Sequence, residues 1–172
     1  MIKYIQDFLV DERLDKQIIE LLSICFSNEP LFQRQRFFKE KPQHRWYIDD
    51  GNRVTAQLAV HEKIISTEKG NYRIGGIAEV AVQPDHRGKG YVKLLLHEAH
   101  QWLQKNNFPF AMLFGEKHIY SSSGYSPVLN QIKYFHTKIG QWKIEVEPHA
   151  MKIVLGKVSW PSAIININGP TF

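Results

Sequence analysis

Apolar positions recur along the chain with two different periods. Leu14, Ile18, Leu21, Leu22 and Cys25 form one stripe at the 3.6-residue period, which predicts a helix over residues 11–26. Asp11 or Asp15 is placed to cap its start, and Ser27-Asn28 marks its stop. A second short helix is expected from Pro30 to Lys39, carrying Phe32, Phe37 and Phe38. The period then shortens. Residues 44–48 and 54–64 read as strands around the turn Asp49-Asp50-Gly51-Asn52, and Gly76 to Val82 reads as a third strand after the turn at Lys69-Gly70-Asn71. The helical period returns from Gly88 to Asn106, with Val92, Leu95, Leu96, Ala99, Trp102 and Leu103 on one face. Phe110 to Phe114 is a continuous apolar run expected to be a buried strand, Lys117 to Ser122 a short helix, and Ser126 to His136 a strand. Weaker strand signals follow at 142–146 and 151–155, and then a tail with Pro161, Gly169 and Pro170. This order predicts a single α+β domain over residues 1–172, with a strand–helix–strand crossover after an antiparallel meander.

Composition narrows the function classes. Of 172 residues, 43% are hydrophobic and 23% charged, as in a globular domain. The single cysteine, Cys25, excludes a disulfide framework and a cysteine-rich zinc module. No apolar run reaches the roughly 18 residues of a membrane span, and the acidic N-terminus does not resemble a signal peptide, so a cytoplasmic protein without membrane partners is expected. The formal charge of +5 suits an anionic ligand. Lys and Arg are scattered without a basic run, so nucleic acid is not an expected partner. Nine of the 17 acidic residues lie within the first 50, which leaves the remainder basic.

The segment with chemical content runs from Glu79 to Val92, EVAVQPDHRGKGYV: a strand, a loop with two glycines and two cations, and a helix start. Glycines let backbone N–H groups turn inward as an anion-binding nest, and the first turn of a helix adds partial positive charge. Arg87 and Lys89 add full charges, and a diphosphate fits such a loop. It is neither a Walker loop, which needs Gly-Lys-Ser/Thr, nor a complete G-x-G-x-x-G dinucleotide fingerprint. By itself the pattern is equally a solvated turn.

This segment resembles motif A of the GCN5-related N-acetyltransferase (GNAT) superfamily, a strand followed by Q/R-x-x-G-x-G/A, with Arg87 at the first position and Gly90 at the middle glycine. Ile119-Tyr120-Ser121-Ser122-Ser123-Gly124-Tyr125 is similar to the family's Y-x-x-x-G-[FY] element after the next strand. The resemblance covers about residues 10–137, with the specific motifs inside 77–128. Val92 departs from the Gly or Ala usual at the last motif A position. The tail, ending at Phe172, is loosely similar to that of aminoglycoside 2′-N-acetyltransferases, although residues 148–172 contain no Asp or Glu to attract a polycation.

The resemblance implies a mixed, mostly antiparallel sheet whose two central parallel strands splay apart, flanked by helices. It implies acetyl-CoA as cosubstrate and no metal. Main-chain groups of Val80, Ala81 and Val82 would pair with the pantetheine arm, and Arg87, Gly88, Lys89, Gly90, Tyr91 and Val92 would hold the diphosphate. A small-molecule primary amine would then attack the thioester directly in a ternary complex. Tyr120 matches the general acid, and Glu79 is the candidate base, although it alternates away from Val80 and Val82. A homodimer stays open. The competing function is a non-catalytic acyl-CoA-binding or sensor domain on the same scaffold.

Other residues have plainer accounts. Cys25 lies on the helical stripe and reads as core. His97 and His100 are three apart on a helix but lack a third ligand. Phe32, Phe37, Phe38 and Trp46 are either core aromatics or the lining of an acceptor pocket. For the tail the choice is between a frayed terminus and a segment folded back over the acceptor side.

Overall fold

The computed structural model describes residues 1–172, which divide into two compact units: residues 1–61 with 78–99, and residues 62–77 with 100–172.

The first unit opens on strand β1 (Ile2–Gln6), which sequence patterning did not reveal, and helix α1 (Glu12–Cys25). Asp11 caps α1, its carboxylate accepting from the Leu14 N–H at 2.8 Å. Strand β2 (His44–Asp49) pairs antiparallel with β1 and with strand β3 (Val54–Thr67), whose first half belongs to this unit. The helical stripe is buried as expected: Ile18, Leu21 and Leu22 pack with Phe32, Val54 and Ala81, and Leu14, Cys25 and Phe38 border them.

The helix expected over Pro30–Lys39 does not form. Only Pro30–Gln33 makes a 3-10 turn, and the chain then runs irregularly to β2. Tertiary bonds win there over local propensity: the Arg36 guanidinium grips Asp7 and Asp15, and the Phe38 N–H donates to Glu79. Strand β4 (Gly70–Val82) starts six residues before the expected boundary, continuing the hairpin from β3 through the turn at Glu68-Lys69. Helix α2 (Tyr91–Lys105) starts three residues after Gly88, because Gly88 and Gly90 hold positive φ of 77° and 76°.

The second unit is built on one sheet. Strand β5 (Phe110–Phe114) pairs parallel with the first half of β4 from Ile74↔Phe110 to Ile77↔Leu113, where that ladder ends. A short helix α3 (Lys117–Tyr120) and a 3-10 turn over Ser121–Ser123 follow. The single strand expected over 126–136 is two pieces, β6 (Ser126–Pro127) and β7 (Ile132–His136). Between them the Asn130 carboxamide leaves any ladder and donates to the carbonyls of Pro161 and Ala163. Strands β8 (Gln141–Glu145) and β9 (Ala150–Val154) pair antiparallel with β7 and β5 respectively.

The tail is an integral part of this unit rather than a frayed end. Strand β10 (Ile165–Asn166) lies parallel to β7 and antiparallel to the end of β3. Ile165 and Ile167 are buried with Ile65, Ile74, Phe110 and Met112, and Trp160 and Phe172 pack against the same cluster. The Trp160 indole N–H donates to Asn130 at 2.9 Å. The β4–β5 and β7–β10 pairings are parallel, whereas β1–β2, β2–β3, β5–β9 and β7–β8 are antiparallel, so the expected mixed, mostly antiparallel α+β sheet is present.

Candidate active site

Within the first unit, the chain from Glu79 to Tyr91 forms a strand end, a loop and a helix start. After Val82 the Gln83 N–H donates to Thr55, and Pro84–His86 makes one 3-10 turn. Asp85 anchors the loop. Its carboxylate bonds Arg53 at 2.6 Å and His86 at 2.8 Å, and these hydrogen bonds, His86 first, lower its carboxyl to about 2. The His86 ring stacks on Tyr91 at 6.1 Å.

The next residues suit an anion. Gly88 and Gly90 both occupy the left-handed region, where other residues are strained. Nothing lies within 4 Å of the place a Cβ would take at either, so the space before the loop is open. Gly90 accepts the Leu94 N–H that begins α2. Successive N–H groups in such a conformation, next to a helix start, form a nest for a negatively charged group. Arg87 and Lys89 are exposed beside it, and the Arg87 Nε–H reaches the Val82 carbonyl at 3.4 Å. Val92 is half-buried at the first turn of α2.

Behind the strand end, the Cys25 thiol donates to the Val82 carbonyl at 3.3 Å and borders the apolar cluster. It is a packing residue. Phe32 is buried in that cluster, Phe38 packs half-buried against it, and Trp46 is buried beside Tyr4. Phe32 and Trp46 are core residues, and Phe38 lies on the core's border.

Glu79 departs from strand geometry, with φ of 52°. Its side chain is only 4% exposed and turns into the unit. One carboxylate oxygen accepts from the Phe38 N–H at 2.9 Å, and the other lies 3.5 Å from Arg45. Burial pushes this carboxyl up to about 7, against the opposing pull of Arg45 and the Phe38 N–H. Arg45 is bonded in turn to the buried Asp7, whose carboxyl is held below the ordinary range by Arg36 and Arg45 despite desolvation. This cluster of Asp7, Arg36, Arg45, Gln57 and Glu79 is the feature sequence reading missed. Its only local signals are Arg45, Gln57 and Glu79, charged or amide residues set among apolar positions of their strands; Asp7 and Arg36 lie outside the strands and give none.

The second unit presents Tyr120 at the end of α3. It is buried, its ring meets Tyr125 edge-on at 6.2 Å, and burial raises its hydroxyl to about 12. Gly115 and Gly124 explain how it is held. A Cβ at residue 115 would collide with the Tyr120 ring. Gly124, at φ 90°, ends the 3-10 turn and faces Ile153, whose Cδ1 lies 2.9 Å from a would-be Cβ. Tyr125 hydrogen-bonds His100 at 2.9 Å, so His100 is a partner of the tyrosine element. Phe172 lies against Gly76 of β4, 2.9 Å from a would-be Cβ, with its ring 5.2 Å from that of Phe114. No group of three His, Cys, Asp or Glu side chains is gathered to hold a metal ion, and no helix is long and apolar enough to cross a membrane.

A family model described as the acetyltransferase (GNAT) domain matches residues 10–128. The chain belongs to the GNAT acetyltransferase family. Solved GNAT structures share its fold. A GNAT family N-acetyltransferase (YhbS) from Escherichia coli, in complex with CoA, aligns over 98% of this chain and 89% of its own, with TM-score 0.68 and 14% identity. A GNAT family acetyltransferase from Brucella melitensis, in complex with acetyl-CoA, aligns over 96% and 94% with TM-score 0.59 and 12% identity. A GCN5-related N-acetyltransferase from Anabaena variabilis matches 77% of this chain at 19% identity and TM-score 0.56, and the chain spans only 32% of that protein. No curated protein matches the sequence. The family match covers both elements that carried the resemblance, the Arg87–Val92 loop and the Tyr120–Tyr125 segment.

Proposed function

We propose that this GNAT domain is an acetyl-CoA-dependent N-acetyltransferase acting on a primary amine of a small molecule. The observation that carries this reading is the loop from Arg87 to Gly90: two left-handed glycines with open space before them, two exposed cations and a helix start, reached from β4 through one 3-10 turn. That donor set fits a diphosphate. Arg87, Gly88, Lys89 and Gly90, with Tyr91 and Val92 in the first helical turn, would hold it, and the main chain of Val80, Ala81 and Val82 would take the pantetheine arm.

Acetyl-CoA supplies the acetyl group as a thioester. The amine nitrogen attacks the thioester carbon, the carbon–sulfur bond breaks, and the leaving thiolate takes a proton while the nitrogen loses one. Tyr120 is the proton donor in this reading. With a hydroxyl at about 12 it stays protonated at neutral pH, and the Tyr125 ring and the glycine at 115 keep it in one orientation. Glu79, at about 7, has the proton affinity of a base for the amine. Its carboxyl is turned into the Arg45 cluster, so in this role it acts through water.

Thiol release from acetyl-CoA across polyamines, amino acids, aminoglycosides and peptides tests the proposal. Release above the hydrolysis background with at least one amine supports it. Acetyl-CoA binding with no release for any amine would instead assign the chain to the sensor class.

A further inference from the structure

The most heavily bonded side chains of the first unit converge on the main chain of one strand residue. Glu79 is held at φ 52° in the middle of an extended segment, two residues past the last β4–β5 pair at Ile77. A non-glycine residue persists there only if its surroundings over-determine it. Gln57 of β3 supplies the constraint: its carboxamide N–H donates to the Glu79 carbonyl, and its carboxamide oxygen accepts from Arg45. The amide cannot turn over, because its oxygen would then face a carbonyl and its NH2 group a guanidinium. Arg45 is itself fixed, by Asp7 at 2.9 Å and the Arg36 carbonyl at 3.0 Å. Arg36 in turn bonds Asp7 at 2.8 Å and Asp15 of α1 at 2.5 Å. Asp7, Arg45 and Gln57 are fully buried.

The peptide plane carries this constraint one atom group further. No cis peptide is present, so the Glu79 carbonyl and the Val80 N–H point in opposite directions across one rigid plane. Holding the carbonyl on Gln57 therefore aims the Val80 N–H away from Gln57. The Glu79 side chain is almost wholly enclosed while the residue as a whole is half-buried, so the exposed part of this residue is its main chain.

We infer that Gln57 is a positioning residue for acetyl transfer, fixing the Glu79–Val80 peptide so that the Val80 N–H is presented to the thioester carbonyl of bound acetyl-CoA. This rests on the proposed function. Gln57 touches neither substrate, and it acts through the plane it orients. A fixed N–H aimed at an oxygen that gains charge during attack lowers the barrier without reorganising at the moment of reaction.

The test compares acetyl-CoA with CoA, which lacks the carbonyl, by calorimetry on the wild type and on Gln57→Glu. That variant keeps an acceptor for Arg45 but sets an acceptor against the Glu79 carbonyl. Acetyl-CoA affinity is expected to fall about tenfold while CoA affinity changes less than about twofold. Gln57→Leu carries the same expectation should Gln57→Glu not fold. Equal losses for both ligands make Gln57 a structural residue and overturn the inference, as does no loss for either. A wild type that binds neither ligand fails the proposed function itself, and the inference with it.

Discussion

The ring of Tyr120 occupies the space into which a side chain at residue 115 would project. Glycine there is a condition for the tyrosine's placement, since β5 leads through Gly115 straight into the short helix that carries it. Gly115→Ala is therefore expected to displace the ring and lower turnover in the thiol-release assay nearly as far as Tyr120→Phe. Tyr120→Phe itself should lower kcat by about 10²-fold or more, the usual contribution of a positioned proton donor, and leave acetyl-CoA affinity nearly unchanged. Equal turnover in Tyr120→Phe and the wild type removes Tyr120 from the mechanism.

Glu79 links the buried cluster to pH. Its folded carboxyl stands at about 7 against an ordinary 4.5, raised by desolvation. A raised acid binds its proton more tightly when folded, so its contribution to stability is fully present below about 4.5 and is lost as pH rises through about 7. At about 1.4 kcal/mol per pH unit the gap is worth about 3 kcal/mol. Asp7 runs the other way: its lowered carboxyl stabilises above 3.8 and loses that contribution as pH falls through its folded value. Urea unfolding between pH 4.5 and 7.5 should show wild-type stability falling with rising pH relative to Glu79→Gln. Parallel curves for the two proteins contradict the assignment.

Arg45 is the member of the cluster with most to lose. Removing its guanidinium in Arg45→Met takes the donor from the buried Gln57 carboxamide oxygen and the nearby cation from the Glu79 carboxyl, and leaves Arg36 as the one cation beside both Asp7 and Asp15. Breaking one partner out of a buried ion cluster costs about 3–5 kcal/mol, because an uncompensated charge remains. The urea midpoint at pH 7 measures this. A loss below about 1 kcal/mol would mean that water enters the cluster freely.

The anion loop separates strain from collision. Nothing stands in the way of a methyl group at Gly90, so Gly90→Ala costs only its left-handed backbone, about 1 kcal/mol. Its acetyl-CoA affinity is expected to fall as the loop relaxes to another conformation. Arg87→Ala and Lys89→Ala should also weaken binding, by amounts that shrink with added salt because both side chains are exposed. Affinities by calorimetry at 50 and 500 mM salt check both expectations. An unchanged affinity in all three variants moves the diphosphate off this loop.

Features that rest on short-range pattern were legible along the chain. The α1 stripe, the apolar β5 run and the two glycines before α2 are read within a few residues, because helix period, strand burial and left-handed turns are local properties. The Arg87–Val92 and Tyr120–Tyr125 motifs are equally local, and both lie within the GNAT match. Whatever depends on distant partners came from the folded chain. Asp7 meets Arg45 across 38 residues and Gln57 meets Glu79 across 22, so no window of helical or strand period contains either pair. Two more long-range bonds, Arg36 to Asp7 and the Phe38 N–H to Glu79, stand where the helix at Pro30–Lys39 was expected, and the second holds the Glu79 carboxyl inward at a residue whose φ is 52°. The tail followed the same rule. Trp160, Ile165 and Phe172 look like a loose end in one dimension, and Ile165 enters the core while Trp160 and Phe172 pack against it, because Asn130, β7 and Gly76 stand where those side chains arrive. Burying that apolar surface outweighs the entropy of ordering the segment.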